Sequence, residues 1–255
     1  MANRGFIGLT EPPSETQQKV EIMNRPSRRA FLAATLPLAL AACVTSPGAP
    51  AMPPIIDPSK PKHYPRPSAD YVMMYGEMRD GGFIVPAVDL TRVNPAFLRR
   101  EVYYDILEPA GTIVVDTPAR YLYLVLGDGR AIRYGIGVGR EGFAWDGAAV
   151  IRRKAAWPSW HPPVEMQARD PKARKWAGGM PGGPDNPLGA RAMYLYQGNV
   201  DTLYRIHGTS EPWTIGSNVS SGCIRMINQD AIDLFNRVPV GTVVEVLGVA
   251  VPPVV

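Results

Sequence analysis

The stretch IHGTSEPWTIGSNVSSGCIRM, residues 206–226, decides how the chain folds around its most reactive side chains. It begins at the end of an aromatic and β-branched run, residues 203–207, which predicts a strand. Pro212 and Gly216 then predict a loop. Cys223 follows His207 by 16 residues, enough chain to leave one strand and return beside it. The stretch therefore predicts that an imidazole and a thiol meet at one end of a sheet.

Similar runs on both sides of this stretch predict a domain made mainly of β-strands. One later segment has a strong helical pattern, residues 229–237, with Asn228 as its cap and Pro239 after its end. A shorter helix is predicted over residues 95–102, beginning at Asn94. The predicted strands cover residues 112–115, 121–126, 131–138, 194–196, 203–207 and 242–247.

A long insertion, residues 156–189, interrupts the strand pattern with seven prolines. Loops of this length inside a compact domain are usually functional or disordered. Trp157, Trp160 and Trp176 argue against disorder, because large aromatic rings need a surface to pack on. The insertion is therefore predicted to be an ordered, functional loop.

Residues 1–42 have the features of an export leader. Arg28 and Arg29 precede the uncharged run 30–42, which is shorter than the roughly 20 residues that span a bilayer. The order Ser-Arg-Arg-x-Phe-Leu resembles a twin-arginine signal. Leu40-Ala-Ala-Cys43 resembles a lipobox and predicts cleavage before an acylated Cys43. The alternative is a buried apolar helix, against which Pro37 argues.

Residues 43–69 contain eight prolines and are predicted to form an extended tether. An ordinary disordered linker would have the same composition. Together with the leader, the tether predicts a lipid-anchored protein of the cell envelope whose globular part lies in the periplasm. The twin-arginine pathway is one candidate route of export.

The charge balance gives no indication of a nucleic-acid partner. The whole chain has a formal net charge of +4, and removal of residues 1–42 takes away five basic and three acidic residues and leaves +2. Nucleic-acid binding needs a concentrated basic face. No pattern indicates an oligomeric state.

Cysteine usage points to a reactive thiol. The chain has two cysteines, and if Cys43 carries lipid, Cys223 has no intramolecular disulfide partner. A cysteine considered alone is usually a small buried hydrophobic residue. A histidine at a strand end is usually a polar edge residue. Taken together in an exported chain, His207 and Cys223 favour a nucleophile and its base. No second cysteine, histidine or carboxylate accompanies them at metal-ligand spacing, so neither metal nor cofactor is predicted.

The motif His-Gly-Thr at residues 207–209, followed by Ser-x-Gly-Cys-Ile-Arg-Met at 220–226, resembles the signature of the L,D-transpeptidase catalytic domain. The resemblance extends to residues 111–115, 135–139 and 186–189 and covers roughly residues 107–247. It implies a mixed, mostly antiparallel β-sandwich with one or two peripheral helices. Residues 70–106 would then precede the domain, and residues 248–255 would form a tail.

The resemblance also implies the roles of individual residues. Cys223 would be the nucleophile, His207 the general base, and the carbonyl of Gly208 would orient the imidazole. Gly222 would supply an oxyanion-hole amide together with Cys223, and Ser220 and Arg225 would help to bind substrate. The implied substrate is the stem tetrapeptide of peptidoglycan, cross-linked with release of D-Ala. Many members have histidine where this chain has Ser221, a difference that bears on substrate preference.

Four alternative functions are considered at the level of sequence, and the last two fit it less well. Water as acceptor would make the protein an L,D-carboxypeptidase, and a protein amine would make it an enzyme that attaches proteins to the wall. A sortase-like site would separate histidine and cysteine much farther. A non-catalytic wall-binding lipoprotein would not need an intact set of His207, Gly222, Cys223 and Arg225.

Overall fold

One large mixed sheet dominates the part of the chain that the computed structural model describes, residues 64–139, 146–218 and 223–248. A separate hairpin is formed by β1 (Met78–Asp80) and β2 (Phe83–Val85). The strands of the large sheet are β3 (Arg100–Tyr103), β4 (Ile113–Asp116), β5 (Tyr121–Gly127), β6 (Arg130–Gly135), β7 (Gly137–Val138), β8 (Gly147–Ala156), β9 (Arg191–Gln197), β10 (Val200–His207), β11 (Ile224–Arg225) and β12 (Val243–Leu247).

The order of strands in the large sheet is β3-β6-β5-β4-β12-β8-β9-β10-β11-β7. Neighbours are antiparallel except for the pairs β4/β12 and β10/β11. Only Ile136 separates β6 from β7, yet these strands stand second and last in the order. The sheet must therefore curl back on itself. The prediction of a mainly β, mixed and mostly antiparallel fold is confirmed.

The main hydrophobic core of the described residues lies between the two halves of this curled sheet. Ile113 and Leu122 enter it from one half of the sheet, and Met193 and Ile206 enter it from the other; all four are fully buried. Burying a side chain of this size contributes about 1.5–3 kcal/mol. The core therefore fixes β10, the strand that ends at His207.

The helices of the described residues are few and short. They are α1 (Ala69–Met74), α2 (Val164–Arg169), α3 (Pro171–Arg174) and α4 (Asn228–Arg237). Helix α4 buries Ala231 and Leu234 against the main core. No helix within the described ranges is long and apolar enough to cross a bilayer.

Two details of the predicted helices are wrong. Asn94 Oδ1 does accept a hydrogen bond from the backbone N–H of Ala96 at 3.0 Å, but the helical turn ends at Phe97. Residues 100–103 form β3 instead, because pairing with β6 satisfies their backbone groups. Asn228 does not cap α4, because the N-cap residue is Ile227. The Oδ1 atom of Asn228 instead accepts a hydrogen bond from the buried N–H of Ala190 at 2.9 Å.

Residues 70–106 pack directly on the domain that follows them. Tyr75, Phe97 and Leu98 are almost fully buried and share a core with Ile215 and Ile227. Strand β3 adds to the sheet, and strand β8, which the sequence pattern did not predict, joins its two halves. The leader, the tether up to residue 63 and the tail from residue 249 lie outside the described residues.

Candidate active site

The end of β10 and the start of β11 bring the predicted histidine and cysteine together. These two strands are parallel, with Ile206 opposite Ile224 and His207 opposite Arg225. The N–H of Met226 donates to the carbonyl of His207 at 2.8 Å and extends the pairing. Cys223 directly precedes β11, and it lines the same cleft as His207. The loop between the strands therefore returns the thiol to the imidazole, as its length predicts.

The imidazole of His207 is buried and held in one orientation. Its Nδ1 lies 2.6 Å from the carbonyl oxygen of Gly208, which requires the Nδ1–H tautomer and leaves Nε2 as a proton acceptor. Burial lowers the pKa of His207 to about 3, and the positive charge of Arg225 acts in the same direction. The imidazole is therefore neutral at physiological pH.

Position 208 accepts only glycine for a steric reason. A Cβ there would collide with Oδ1 of Asn228, the atom that accepts from Ala190 N. A Cβ at Gly189 would collide with the same amide oxygen. These two glycines let Asn228 of α4 pack against the backbone beside His207, so the orientation of the imidazole depends on packing that lies outside the motif itself.

The thiol of Cys223 is half-buried, and burial raises its pKa. The positive charges of Arg205 and Arg225 and a hydrogen bond with the backbone of Arg205 act in the opposite direction. Burial is the larger effect, so the resting side chain is a thiol. A neutral imidazole that takes the proton during attack suits such a thiol better than a preformed ion pair.

Arg225 supplies a positive charge that acts on both His207 and Cys223. Its guanidinium lines the cleft and lies 3.7 Å from the exposed carboxylate of Glu211. Its Nε atom is buried and has no hydrogen-bond partner among the described residues. The group can therefore bind a carboxylate or carbonyl oxygen that enters the cleft.

The cleft has a volume of about 410 Å³, and the insertion predicted at 156–189 forms one of its walls. In the structure this segment runs between β8 and β9, over residues 157–190, and we call it the lid. It contributes two tryptophans, two methionines and several charged groups to the cleft: Trp160, Met166, Asp170, Lys172, Trp176, Met180 and Asp185. The cleft thus combines a reactive floor on the sheet with an aromatic wall on a loop.

Asp80 clamps both ends of the lid. Its Oδ2 accepts from Nε1 of Trp157 at 2.8 Å, and its two oxygens lie 2.6 and 2.7 Å from the guanidinium of Arg191. Trp157 is the first residue of the lid, and Arg191 follows its last residue. Backbone hydrogen bonds between Trp160 and Met180 then close the lid across its middle. The prediction that the insertion is ordered is confirmed.

Two of the predicted site residues, Gly222 and Ser220, lie outside the described residues, as does Cys43. His207, Gly208, Cys223 and Arg225 come together at the cleft. The sequence did not identify Asp80, Asn228 or the individual lining residues of the lid. The tryptophans of the insertion were the only available signal for that wall, and nothing in the local sequence marks Asp80.

Comparison with known proteins identifies the domain. The family model of the YkuD L,D-transpeptidase catalytic domain matches residues 110–246. The probable L,D-transpeptidase YbiS of Escherichia coli K12 is 36% identical over 140 residues, 53% of this chain and 44% of that protein. The probable L,D-transpeptidase ErfK/SrfK of Salmonella typhimurium is 37% identical over 156 residues, 61% and 43% respectively. This chain spans less than half the length of these relatives.

A solved structure from Brucella melitensis, described as a probable carnitine operon oxidoreductase, is 51% identical and covers 60% of this chain and 96% of that one. Its TM-score of 0.43 is too low to support an inference. The family model carries the assignment, because it matches more than half of the chain and includes β10, β11 and the cleft. This protein belongs to the L,D-transpeptidase family.

Proposed function

We propose that the protein is a peptidoglycan L,D-transpeptidase that transfers the acyl group of a stem tetrapeptide through Cys223. The observation that carries the proposal is the pairing at the cleft floor. A buried, neutral His207, fixed by the carbonyl of Gly208, shares the cleft with the thiol of Cys223. Family membership supports the same chemistry.

In the first half of the reaction, Sγ of Cys223 attacks the carbonyl carbon of the third stem residue. His207 Nε2 takes the thiol proton and returns it to the nitrogen of the departing D-Ala as the C–N bond breaks. The acyl group remains as a thioester. Backbone amides at Gly222 and Cys223 would hold the oxyanion, and Arg225 would bind a carboxylate of the donor.

In the second half, an amine of another stem attacks the thioester carbonyl. A C–N bond forms, the C–S bond breaks, and the amine proton passes by way of His207 to the sulfur. The enzyme is then regenerated and the two stems are cross-linked through their third residues. Water in place of the amine would give a tripeptide, and a protein amine would give an attached protein.

The experiment that tests this function is product analysis with a disaccharide-tetrapeptide. Mass spectrometry should detect free D-Ala and a dimer that has lost one alanine from one stem. A tripeptide without dimer would indicate a carboxypeptidase. If no D-Ala is released and the tetrapeptide is recovered unchanged, the proposed function is wrong.

We further propose that the chain is held in the cell envelope by lipid on Cys43, with its catalytic domain in the periplasm. The lipobox-like Leu40-Ala-Ala-Cys43 and the proline-rich tether support this. The mature protein should begin at an acylated Cys43 and partition into detergent. Native protein with another N-terminus, soluble in aqueous extract, would contradict the proposal.

A further inference from the structure

A second pocket, which we call the accessory pocket, adjoins the catalytic cleft. Its volume is about 190 Å³, and Thr209 and Ser210 line both cavities. Its other walls come from residues 86–89 and Arg92, from Trp213 and from Gln229. The accessory pocket and the catalytic cleft are therefore neighbours on the two sides of Thr209 and Ser210.

Gln229 lines this pocket and carries a buried hydrogen-bond acceptor that no described residue satisfies. The side chain is 4% exposed, and its Nε2 lies 3.0–3.3 Å from the carbonyl oxygens of Tyr75, Gly76 and Pro86. These three acceptors fix the orientation of the amide, since the reverse orientation would place oxygen against oxygen. The Oε1 atom is buried and has no partner among the residues described. A buried acceptor in this state favours a ligand N–H.

Arg92 gives the pocket a positive charge at its rim. The guanidinium stacks on the ring of Trp213, with its Cζ atom 4.1 Å from the ring centroid. Stacking uses the flat face of the group, whereas its N–H donors point outward in the plane and suit a carboxylate. Arg92 is exposed and forms no ion pair within the described ranges. Asp89 also lines the pocket, but its Oδ1 already accepts from the N–H and hydroxyl of Thr91.

We propose that the accessory pocket binds the acceptor of the transfer reaction, a second anionic peptide that carries the attacking amine. Arg92 binds a carboxylate of this peptide, Gln229 Oε1 accepts one of its backbone N–H groups, and Trp213 contacts its apolar atoms. The proposal rests on the transpeptidase function proposed above. It adds the site that selects a peptide amine over water.

The position of this pocket in the chain gives the proposal a further consequence. Residues 86–89 and Arg92 precede residue 110, where the family match begins. Five of the thirteen residues that line the accessory pocket therefore belong to the segment that precedes the matched domain. The choice of acceptor would then depend on that segment, whereas the bond-making steps would depend on His207 and Cys223.

The test compares the full chain with its Arg92→Glu variant, using tetrapeptide donor and three acceptors: a second stem peptide, the same peptide with its carboxylates amidated, and hydroxylamine. Arg152→Glu, on the exposed face of β8, is the matched control. For Arg92→Glu we expect the KM for the anionic peptide to rise about tenfold or more, which corresponds to one lost charged contact. Dimer should give way to tripeptide.

Three comparisons keep the test specific. D-Ala release without an acceptor, hydroxamate formation from hydroxylamine, and the KM for the amidated peptide should all match the parent chain, because none of them needs the charge of Arg92. An unchanged KM for the anionic peptide would overturn the proposal. Equal losses with all acceptors would also overturn it, since they would indicate a merely structural role. If the parent released no D-Ala, the transpeptidase function itself would fail, and the acceptor site with it.

Discussion

The two walls of the cleft are built in different ways. The reactive wall stands on β10 and β11, whose backbone pairing fixes His207 and places Cys223 at the strand end. The lid wall is a loop whose two ends are tied by Asp80, to Trp157 at its start and to Arg191 just after its end. Chemistry that needs precise geometry is thus carried by the sheet, whereas the shape of the cavity is carried by a segment that can vary without disturbing the strands.

The difference predicts that damage to the sheet wall removes turnover and leaves the cavity intact. His207→Ala should lower kcat for D-Ala release by about 10³-fold or more, because the thiol of Cys223 is then left without a proton acceptor. Steady-state kinetics with the tetrapeptide measures this. The KM should change little, since the lid and Arg225 are untouched. A variant that retains more than a tenth of the parental kcat would show that His207 is not the base.

Substitutions in the contacts that hold the lid should change the free energy of unfolding and the KM more than they change kcat. Asp80→Ala leaves the buried guanidinium of Arg191 without its carboxylate, and we expect the free energy of unfolding to fall by about 3 kcal/mol. Denaturant titration measures the loss, and the KM for tetrapeptide should rise. Asp80→Asn is the matched control, because it keeps an acceptor for Trp157 Nε1 and should lose less. If the alanine variant is as stable as the parent, the clamp does not hold the lid.

The smallest effect is expected from removing a positive charge of the reactive wall, the guanidinium of Arg225 on β11. The guanidinium of Arg225 opposes burial and lowers the pKa of the Cys223 thiol. Without this charge the pKa rises further, so the thiolate fraction at a given neutral pH falls. Arg225→Gln should therefore slow alkylation of Cys223 by iodoacetamide by up to about tenfold at pH 7 and shift the pH profile upward.

The control for this comparison is Arg152→Gln, which removes an exposed positive charge from β8. It should leave the alkylation rate unchanged. Equal or faster alkylation of the Arg225→Gln variant would mean that the guanidinium does not stabilise the thiolate.

The sheet wall could be predicted from sequence because its parts are close in the chain. His207, Gly208, Cys223 and Arg225 fall within 19 residues, and an aromatic and β-branched run marked the strand that ends at His207. Strand β8 was not predicted because Arg152, Arg153 and Lys154 interrupt its apolar pattern. In the structure, the aliphatic stem of Lys154 lets its ammonium group donate to backbone carbonyls at the end of α4.

The ties of the lid could not be predicted, because they join residues that are distant in sequence. Asp80 and Trp157 are 77 positions apart, and Asp80 and Arg191 are 111 apart. Asn228 shows the same limit: local rules assign it to a helix cap, but the buried N–H of Ala190 needs an acceptor and takes its Oδ1. The local preference of a residue for a helix cap is overridden where its side chain is needed to pair a buried backbone N–H.

The most direct test of the central claim, that Cys223 is the acyl-accepting nucleophile, is intact-mass analysis after incubation with a carbapenem. A strained β-lactam presents the thiol with a carbonyl similar to that of the substrate, and the family resemblance points to carbapenems as the reactive subclass. The parent chain should gain the mass of one carbapenem, on the peptide that contains Cys223, and the Cys223→Ser variant should gain none. An unmodified parent, or a variant that is labelled as fully as the parent, would contradict the claim.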